Sequence, residues 1–331
     1  MSEISFDLVI CTYNNSALLD RTLKALAWQK TPPHVKWSVL VVDNNCTDGT
    51  ANVVERYIES GQIPNIRCIV EKRQGLTYAR LCGVYNTTAE WIAFIDDDCL
   101  LENDWLTKAA EFAPIHLRCG AFGGKIVLHW EAPPPSYALK HAGIFAAQDW
   151  GSNEQRMPLD GWITLRGAGL VLRRQSIEAS GWLERQFLSD RQGQNLASGG
   201  DLEIQKRICD AGYELWYVPT CKIEHIIPAK RMSLLYMYRL FHGFGYTVPF
   251  VLLLFCKGSR FRWSVLELLW GGIYLLNILV KRKDKLNRYT SINDLVFCWK
   301  YLCGQFHAVL EIARMTRTEL QNWSNLGNKS L

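Results

Sequence analysis

Nothing in this 331-residue chain arranges its eleven cysteines as a framework: there is no CxxC pair and no paired Cys/His spacing. That excludes a zinc ribbon or a disulfide scaffold and points to a reducing cytosol. Equally absent are a G-x-G-x-x-G after the first strand and a G-x-x-x-x-G-K-S/T anywhere, so the dinucleotide-binding and P-loop cradles are both excluded. A nucleotide, if bound, has to be held by side chains and a metal. Excess charge of one sign is scarce too. The 37 basic and 32 acidic residues leave a formal net charge of +5, too mild to argue for nucleic acid as a partner. No clean run of ~20 uncharged apolar residues occurs, so a membrane-crossing helix is not favoured. The first residues carry no basic region followed by an apolar core, so no secretory signal is expected. Internal repeats and low-complexity tracts are missing.

What is there is a 48% hydrophobic composition, ample for a large core, over a length suited to about two domains or to one α/β domain with an appendage. The organising stretch is Trp91-Ile92-Ala93-Phe94-Ile95-Asp96-Asp97-Asp98-Cys99. It is short, aromatic and β-branched, which suits a buried central strand. Adjacent carboxylates repel by roughly 1 kcal/mol per pair even in water, so the strand end needs a cation or strong hydrogen bonds. A bland alternative is an acidic loop cap bathed in solvent. With extended backbone, Asp96 and Asp98 project to one side as a ligand pair. Oxygen ligands favour Mg²⁺ or Mn²⁺, which also take substrate phosphates.

In chain order, a strand at 5–11 leads through Thr12-Tyr13-Asn14-Asn15 into a helix over 16–29 with Ser16 as N-cap. A strand at 37–42 follows and ends at Asp43, in a segment that reads either as a nucleoside contact or as an Asx turn. A strand at 66–70, a helix at 75–85 starting near Arg73, and the strand ending at Asp96 come next. Strands alternating with helices predict an α/β fold with a mostly parallel sheet whose ligands gather beyond the carboxyl ends of the strands. Thr12, Asp43, Arg73 and the aspartate triplet are therefore expected to converge.

After a helix at 103–113 and a strand at 120–128, the proline- and aromatic-rich segment 130–157 reads as a surface lobe or lid. A strand over 161–172 carries Gly167 and Gly169, which admit a ligand close to the backbone or mark a bulge. Residues 189–200 have a flexible-loop composition. Asp201 opens a helix, where free N–H groups favour an ionised carboxylate, as a functional base or an ordinary cap. Segments 213–218 and 222–225 are expected to complete the sheet edge. His225 and Arg231 flank a proline turn, as a metal ligand and a diphosphate contact or as plain surface residues.

Taken together and in this order, CTYNN, VVDNNCTDGT, EKRQGLTYAR, FIDDDC, RGAGLVLRR, GGDLE and HIIPAKR resemble the family 2 glycosyltransferases of GT-A fold, which invert the anomeric carbon of a nucleoside diphosphate sugar. The resemblance covers about residues 4–231. It implies that Thr12, Tyr13, Asn15 and Asp43 hold the nucleoside, with Arg73 and Arg80 near the base and diphosphate. It further implies that Asp96 and Asp97 serve the nucleotide, Asp98 the metal, and His225 a further metal contact. Asp201 is implied as catalytic base, Arg231 as a diphosphate contact, and Gly167, Trp182 and Gly200 as lining for the sugar or acceptor. The chain departs from the family at Gly200, where a glutamate is usual, and at Leu81, where an asparagine is usual.

The expectation is thus a GT-A domain over 1–231 with 130–157 inserted. It takes a nucleoside diphosphate sugar, UDP-linked by family habit, and a glycan or lipid-linked hydroxyl acceptor, with Mn²⁺ or Mg²⁺ as cofactor. Cell-surface or exopolysaccharide synthesis is the expected setting. A nucleotidyltransferase and a non-catalytic sugar-nucleotide or glycan-binding module are the competing readings. Residues 232–331 form an apolar, basic helical region. Apolar segments at 234–255 and 264–280 flanked by Lys257, Arg260, Arg262, Lys281 and Arg282 suit peripheral attachment to the inner face of the cell membrane. A helical subdomain or homo-oligomer interface is the alternative.

Overall fold

Unbroken apolar runs pair with one another at the centre of the sheet. The strands β1 (Ile4–Thr12), β2 (Val35–Asp43), β3 (Ile66–Val70) and β4 (Trp91–Asp96) are parallel neighbours in the order β3-β2-β1-β4. Successive side chains alternate faces, so Leu8 and Ile10 enter one core cluster while Val9 enters the other. Helices α1 (Ser16–Ala27) and α2 (Thr50–Ser60) cover the first face through Leu19, Leu23, Val53 and Val54; α3 (Leu76–Tyr85) covers the second through Ala79, Leu81 and Val84. A strand buried on both faces has no polar side, which is why these runs do not alternate in sequence. The computed structural model describes residues 3–158, 164–188, 190–193, 195–255, 292–316 and 318–319.

Beyond β4 the chain adds β5 (Cys99–Leu101), α4 (Trp105–Phe112), β6 (Cys119–Gly123), β7 (Ile126–Trp130), α5 (Ser136–Lys140), β8 (Gln155–Met157), β9 (Leu170–Arg173), α6 (Arg174–Ala179), α7 (Gly200–Asp210), β10 (Glu214–Tyr217) and β11 (Ile223–Ile227). The large sheet continues β4-β9-β6-β10-β8, and β5-β11-β7 form a second, three-stranded sheet. The strand expected over 120–128 is therefore two strands in two sheets. The expected edge is corrected as well: β10 lies between β6 and β8, and β11 is central in the small sheet. Of the strand expected over 161–172, residues 161–163 lie outside the described residues and strand pairing begins only at Leu170. The Gln205 side-chain amide satisfies Leu165 at both N–H and C=O, at 2.8 Å each. A side chain thus takes the bonds a neighbouring strand would make, and a turn from Leu170 N–H to Gly167 C=O follows.

The chain forms two compact units, one of residues 1–131, 142–185 and 204–227 and the other of 132–141, 186–203 and 228–331. The C-terminal unit thus starts at Pro228, close to the sequence boundary after Arg231, and recruits two earlier segments. Its described framework is α8 (Leu234–Phe255) and α9 (Ile292–Arg314), packed through Phe250, Val251, Leu254, Ala308 and Ile312. Phe241 stacks on Phe297 at 4.7 Å. A Cβ on Gly304 would lie 2.1 Å from the His242 carbonyl oxygen, so glycine is required for the helices to approach this closely. The recruited segment 132–141 is tied in by polar contacts. Lys140 Nζ and His141 Nε2 meet the buried Asp294 carboxylate at 2.9 and 3.1 Å, and Tyr137 donates to the Met232 carbonyl. Among the described residues no helix is long and apolar enough to cross a membrane. The apolar segment expected at 264–280 lies outside the described residues.

Candidate active site

Parallel register assembles the first part of the site. Thr12 pairs with Asp43 across β1 and β2, and Cys11 with Asp96 across β1 and β4. Three strand ends therefore stop level with one another, as the position of ligands on such sheets requires. The chain then turns after Asp96 before entering β5, and the turn corrects the alternation expected for the triplet. Asp97 accepts hydrogen bonds from Thr12 Oγ1 at 2.6 Å and Asn15 Nδ2 at 2.7 Å. Asn15, not Ser16, is the N-cap residue of α1, and its amide is turned to Asp97 instead of capping. Asp98 is carried inward to 2% exposure.

Asp43 makes the Asx turn, its Oδ1 accepting from Cys46 N–H at 2.7 Å. Its neighbour Asn44, not singled out from the sequence, is the real organiser of this loop pair. Its amide donates to the carbonyls of Glu71 and Arg73 and accepts from Gly75 N–H. Glu71 then receives a fork of two hydrogen bonds from Arg73 at 3.0 and 2.9 Å. This bond holds the Glu71 carboxyl below the usual carboxylate range, and the Arg73 guanidinium lies 4.8 Å from the Tyr78 ring centroid. Arg80 is buried, its guanidinium 5.1 Å from the centroid of Phe94. Burial pushes the nearby Cys11 thiol up to about 12 against the pull of Arg80, so it stays a neutral thiol. Tyr13 is 46% exposed.

The second sheet delivers the remaining partner. Antiparallel pairing of β5 with β11 sets Cys99 opposite His225, and His225 Nε2 comes within 3.1 Å of Asp98 Oδ1. His225 is 5% exposed, and its Nδ1 lies 2.8 Å from the Phe145 carbonyl oxygen. A carbonyl only accepts, so Nδ1 carries a hydrogen and Nε2 faces the carboxylate. A neutral imidazole would then aim its lone pair at an anion in a buried site. Either a proton or a metal cation must lie between them. Asp98, Cys99 and His225 present ligand atoms all within 4.8 Å of one another. The set fits a divalent ion, and its imidazole suits Mn²⁺ better than Mg²⁺, which prefers oxygen alone. The support of the histidine by a backbone carbonyl is the arrangement that orients metal-bound imidazoles. Phe145 comes from the segment expected as a surface lobe or lid, and its side chain is buried.

In the other unit, Asp201 and Glu203 open α7. The Asp190 Oδ1 accepts from Gly199 N–H at 3.1 Å and Gly200 N–H at 2.8 Å, and Glu203 accepts from the N–H groups of Phe187 and Leu188. Carboxylates thus occupy the free donors of a helix start and fasten its leading loop. The described part of the loop that looked flexible is pinned. Arg231 lies in a 3-10 turn from Ala229 to Met232.

The sequence profile described as Glycosyl transferase family 2 matches residues 7–177, over half of the chain. The chain belongs to glycosyltransferase family 2. It is therefore a glycosyltransferase enzyme, and the competing readings fall away. Among its relatives, the succinoglycan biosynthesis protein ExoM of Rhizobium meliloti is 25% identical over 264 residues, covering 79% of this chain and 80% of that protein. The glycosyltransferase AglE of Haloferax volcanii is 26% identical over 214 residues, covering 63% of each. The mannosyltransferase PcManGT of Pyrobaculum calidifontis, solved with GDP-Man and Mn²⁺, superposes with a TM-score of 0.54 at 16% identity, over 99% of this chain and 85% of that one. Staphylococcus aureus TarS 1-349 with UDP-GlcNAc gives 0.51 at 14% identity, over 98% and 88%. At these identities the likeness establishes the GT-A fold.

Against the family pattern, Gly200 has a steric cause. A Cβ there would lie 2.2 Å from Asp190 Oδ2, so the usual glutamate has no room while Asp190 holds its place. Trp182 is 1% exposed within the core cluster of Ile177, Ile204 and Ile208. Its indole packs beside residues of α6 and α7. Gly167 supplies the turn into β9.

Proposed function

We propose that this family 2 enzyme is a metal-dependent inverting transferase that moves a sugar from a nucleoside diphosphate, UDP favoured, to a hydroxyl of a glycan or lipid-linked acceptor. The observation that carries this reading is the buried pairing of Asp98 with His225 Nε2 at 3.1 Å. A divalent cation bound there would supply Lewis-acid stabilisation of the leaving diphosphate. Asp98 and His225 would hold it, with Phe145 fixing the imidazole. The Thr12, Asn15, Asp43, Arg73 and Arg80 groups would seat the nucleotide, with Asp96 and Asp97. Asp201 would take the proton of the attacking hydroxyl, and Arg231 would contact the diphosphate. Direct displacement needs no covalent intermediate.

The ExoM relative, named as a succinoglycan biosynthesis protein, supports a role in exopolysaccharide or cell-surface glycan synthesis. On α9, Ile292, Trp299, Phe306 and Leu310 are exposed and fall on one helical stripe, which favours peripheral attachment to the inner membrane face. The test is a screen of nucleoside diphosphate sugars with Mn²⁺, read by thermal shift and by product. One donor should raise the melting temperature by mass action and, with acceptor or water, release free nucleoside diphosphate. Release of pyrophosphate, or no donor-dependent shift, counts against the proposal.

A further inference from the structure

The two helices that lead away from Thr12 and Asp43 begin without a cap of their own. Helix α1 has Asn15 as its N-cap residue, yet that side chain makes no bond to the helix start, and α2 has Gly49, which has no side chain to offer. The free N–H groups of a helix start need an acceptor. One carboxylate serves both. Asp48 Oδ2 accepts at 2.9 Å from the N–H of Ser16, the first residue of α1 and 32 positions away. Its Oδ1 accepts from Thr50 N–H at 3.1 Å and Thr50 Oγ1 at 2.5 Å, at the first residue of α2.

The consequence falls on Asn15. Asparagine is among the strongest N-cap residues, and here its amide is turned elsewhere, donating from Nδ2 to Asp97 Oδ1 at 2.7 Å while the Thr12 hydroxyl donates to Oδ2. With Asp48 on the Ser16 N–H, the helix start already has its acceptor. Two further bonds tie the loops: Asn14 Oδ1 accepts from Thr47 N–H at 2.7 Å, and Asn14 N–H donates to Cys46 Sγ at 3.2 Å. Residues 12–16 and 43–50 are thereby locked to one another. Against the desolvation that would raise it, the bonds from Thr50 and Ser16 hold the Asp48 carboxyl below the usual carboxylate range, and the positive ends of two helix dipoles complement the anion. Asp48 is exposed, and for stability alone a cap for α1 was at hand in Asn15.

We infer that Asp48 is a positioning residue for nucleotide binding: by capping α1 from a neighbouring loop it releases the Asn15 amide to hold Asp97, and so sets the geometry of the nucleoside contacts at the strand ends. The inference rests on the reading of Thr12, Asn15, Asp43 and Asp97 as the nucleotide seat. Asp48 acts through Asn15, not by touching the donor. Without the carboxylate the Ser16 N–H loses its acceptor, Asn15 turns back to cap α1, and of the two bonds that this loop gives Asp97 only the one from Thr12 remains. A preformed seat then becomes one that the ligand has to order, and ordering on binding lowers affinity.

The test is a double-mutant cycle on the full chain, read by calorimetric titration with UDP and with GDP in the presence of Mn²⁺. Asp48→Ala should weaken binding of the nucleotide that wild type takes by at least tenfold. It should raise KM by a similar factor for the donor found in the sugar-nucleotide screen and leave kcat within twofold. In an Asn15→Ala background the same substitution should change affinity less than threefold, since the residue through which it acts is gone. Asp48→Asn keeps one acceptor oxygen, enough for one helix start, and should fall between wild type and Asp48→Ala. Near-UV circular dichroism confines the comparison to folded protein. A lower melting temperature with unchanged nucleotide affinity in Asp48→Ala, or an equal loss of affinity in the wild-type and Asn15→Ala backgrounds, overturns the inference and leaves the nucleotide seat standing. Failure of the wild type to bind either nucleotide overturns the reading of the seat itself, and the inference with it.

Discussion

Replacing Asp98 by Ala is expected to lower turnover by about 10³-fold, and His225→Ala by a comparable factor. The estimate follows from the several kcal/mol that Lewis-acid stabilisation of a leaving group contributes, at 1.36 kcal/mol per tenfold. Both side chains are almost completely buried, and removing one partner of such a pair leaves the other uncompensated, at a cost of about 3–5 kcal/mol. A fall in stability is therefore expected alongside the fall in rate, and near-UV circular dichroism on the folded fraction separates the two. EDTA on the wild-type enzyme should reproduce the kinetic loss without the structural one. Activity within threefold of wild type in a well-folded Asp98→Ala enzyme would remove the site from the reaction.

Asp201→Asn is the second large expected effect. The amide is nearly isosteric and leaves the start of α7 unchanged, since Asp190 and not Asp201 accepts from the Gly199 and Gly200 N–H groups. What is lost is the ability to take a proton. Turnover should fall by about 10²–10⁴-fold, the usual contribution of a general base, while KM for the donor stays the same. A variant with a raised donor KM and unchanged kcat would place Asp201 in donor binding instead.

The parts of this enzyme legible in its sequence are those set by local pattern. Runs such as LVIC, VLVV and WIAFI announce buried parallel strands, and the polar residues that stop them, Thr12, Asp43 and Asp96, come out level to within one residue in the parallel register. What could not be read depends on pairing across long separations. No periodicity announces that Cys99 lies opposite His225 or that a carbonyl from a proline-rich insertion fixes the imidazole. Asn44 looked like one more turn residue because its partners, at 71–75, belong to another loop. The stretch before Leu170 reads as strand by its residues, yet Leu165 bonds to the Gln205 side chain, forty residues later, in place of a neighbouring strand. Gly200 was visible as a departure from the family pattern, yet its cause required Asp190, ten residues earlier, to be seen in place. Trp182, an aromatic after a glycine, reads in the sequence as lining for the acceptor, and its place in the core cluster with α7 residues is set by packing across a long separation.

The account stands on the claim that the gap between Asp98 and His225 belongs to a metal cation and not to a proton. Titration of the purified enzyme with Mn²⁺, followed by the loss of the free-ion electron paramagnetic resonance signal, tests this without any knowledge of donor or acceptor. Wild type should bind one ion per chain, more tightly when UDP is present, and His225→Ala should weaken that binding by at least tenfold. Equal Mn²⁺ affinity in wild type and His225→Ala, or no binding by either, would contradict it.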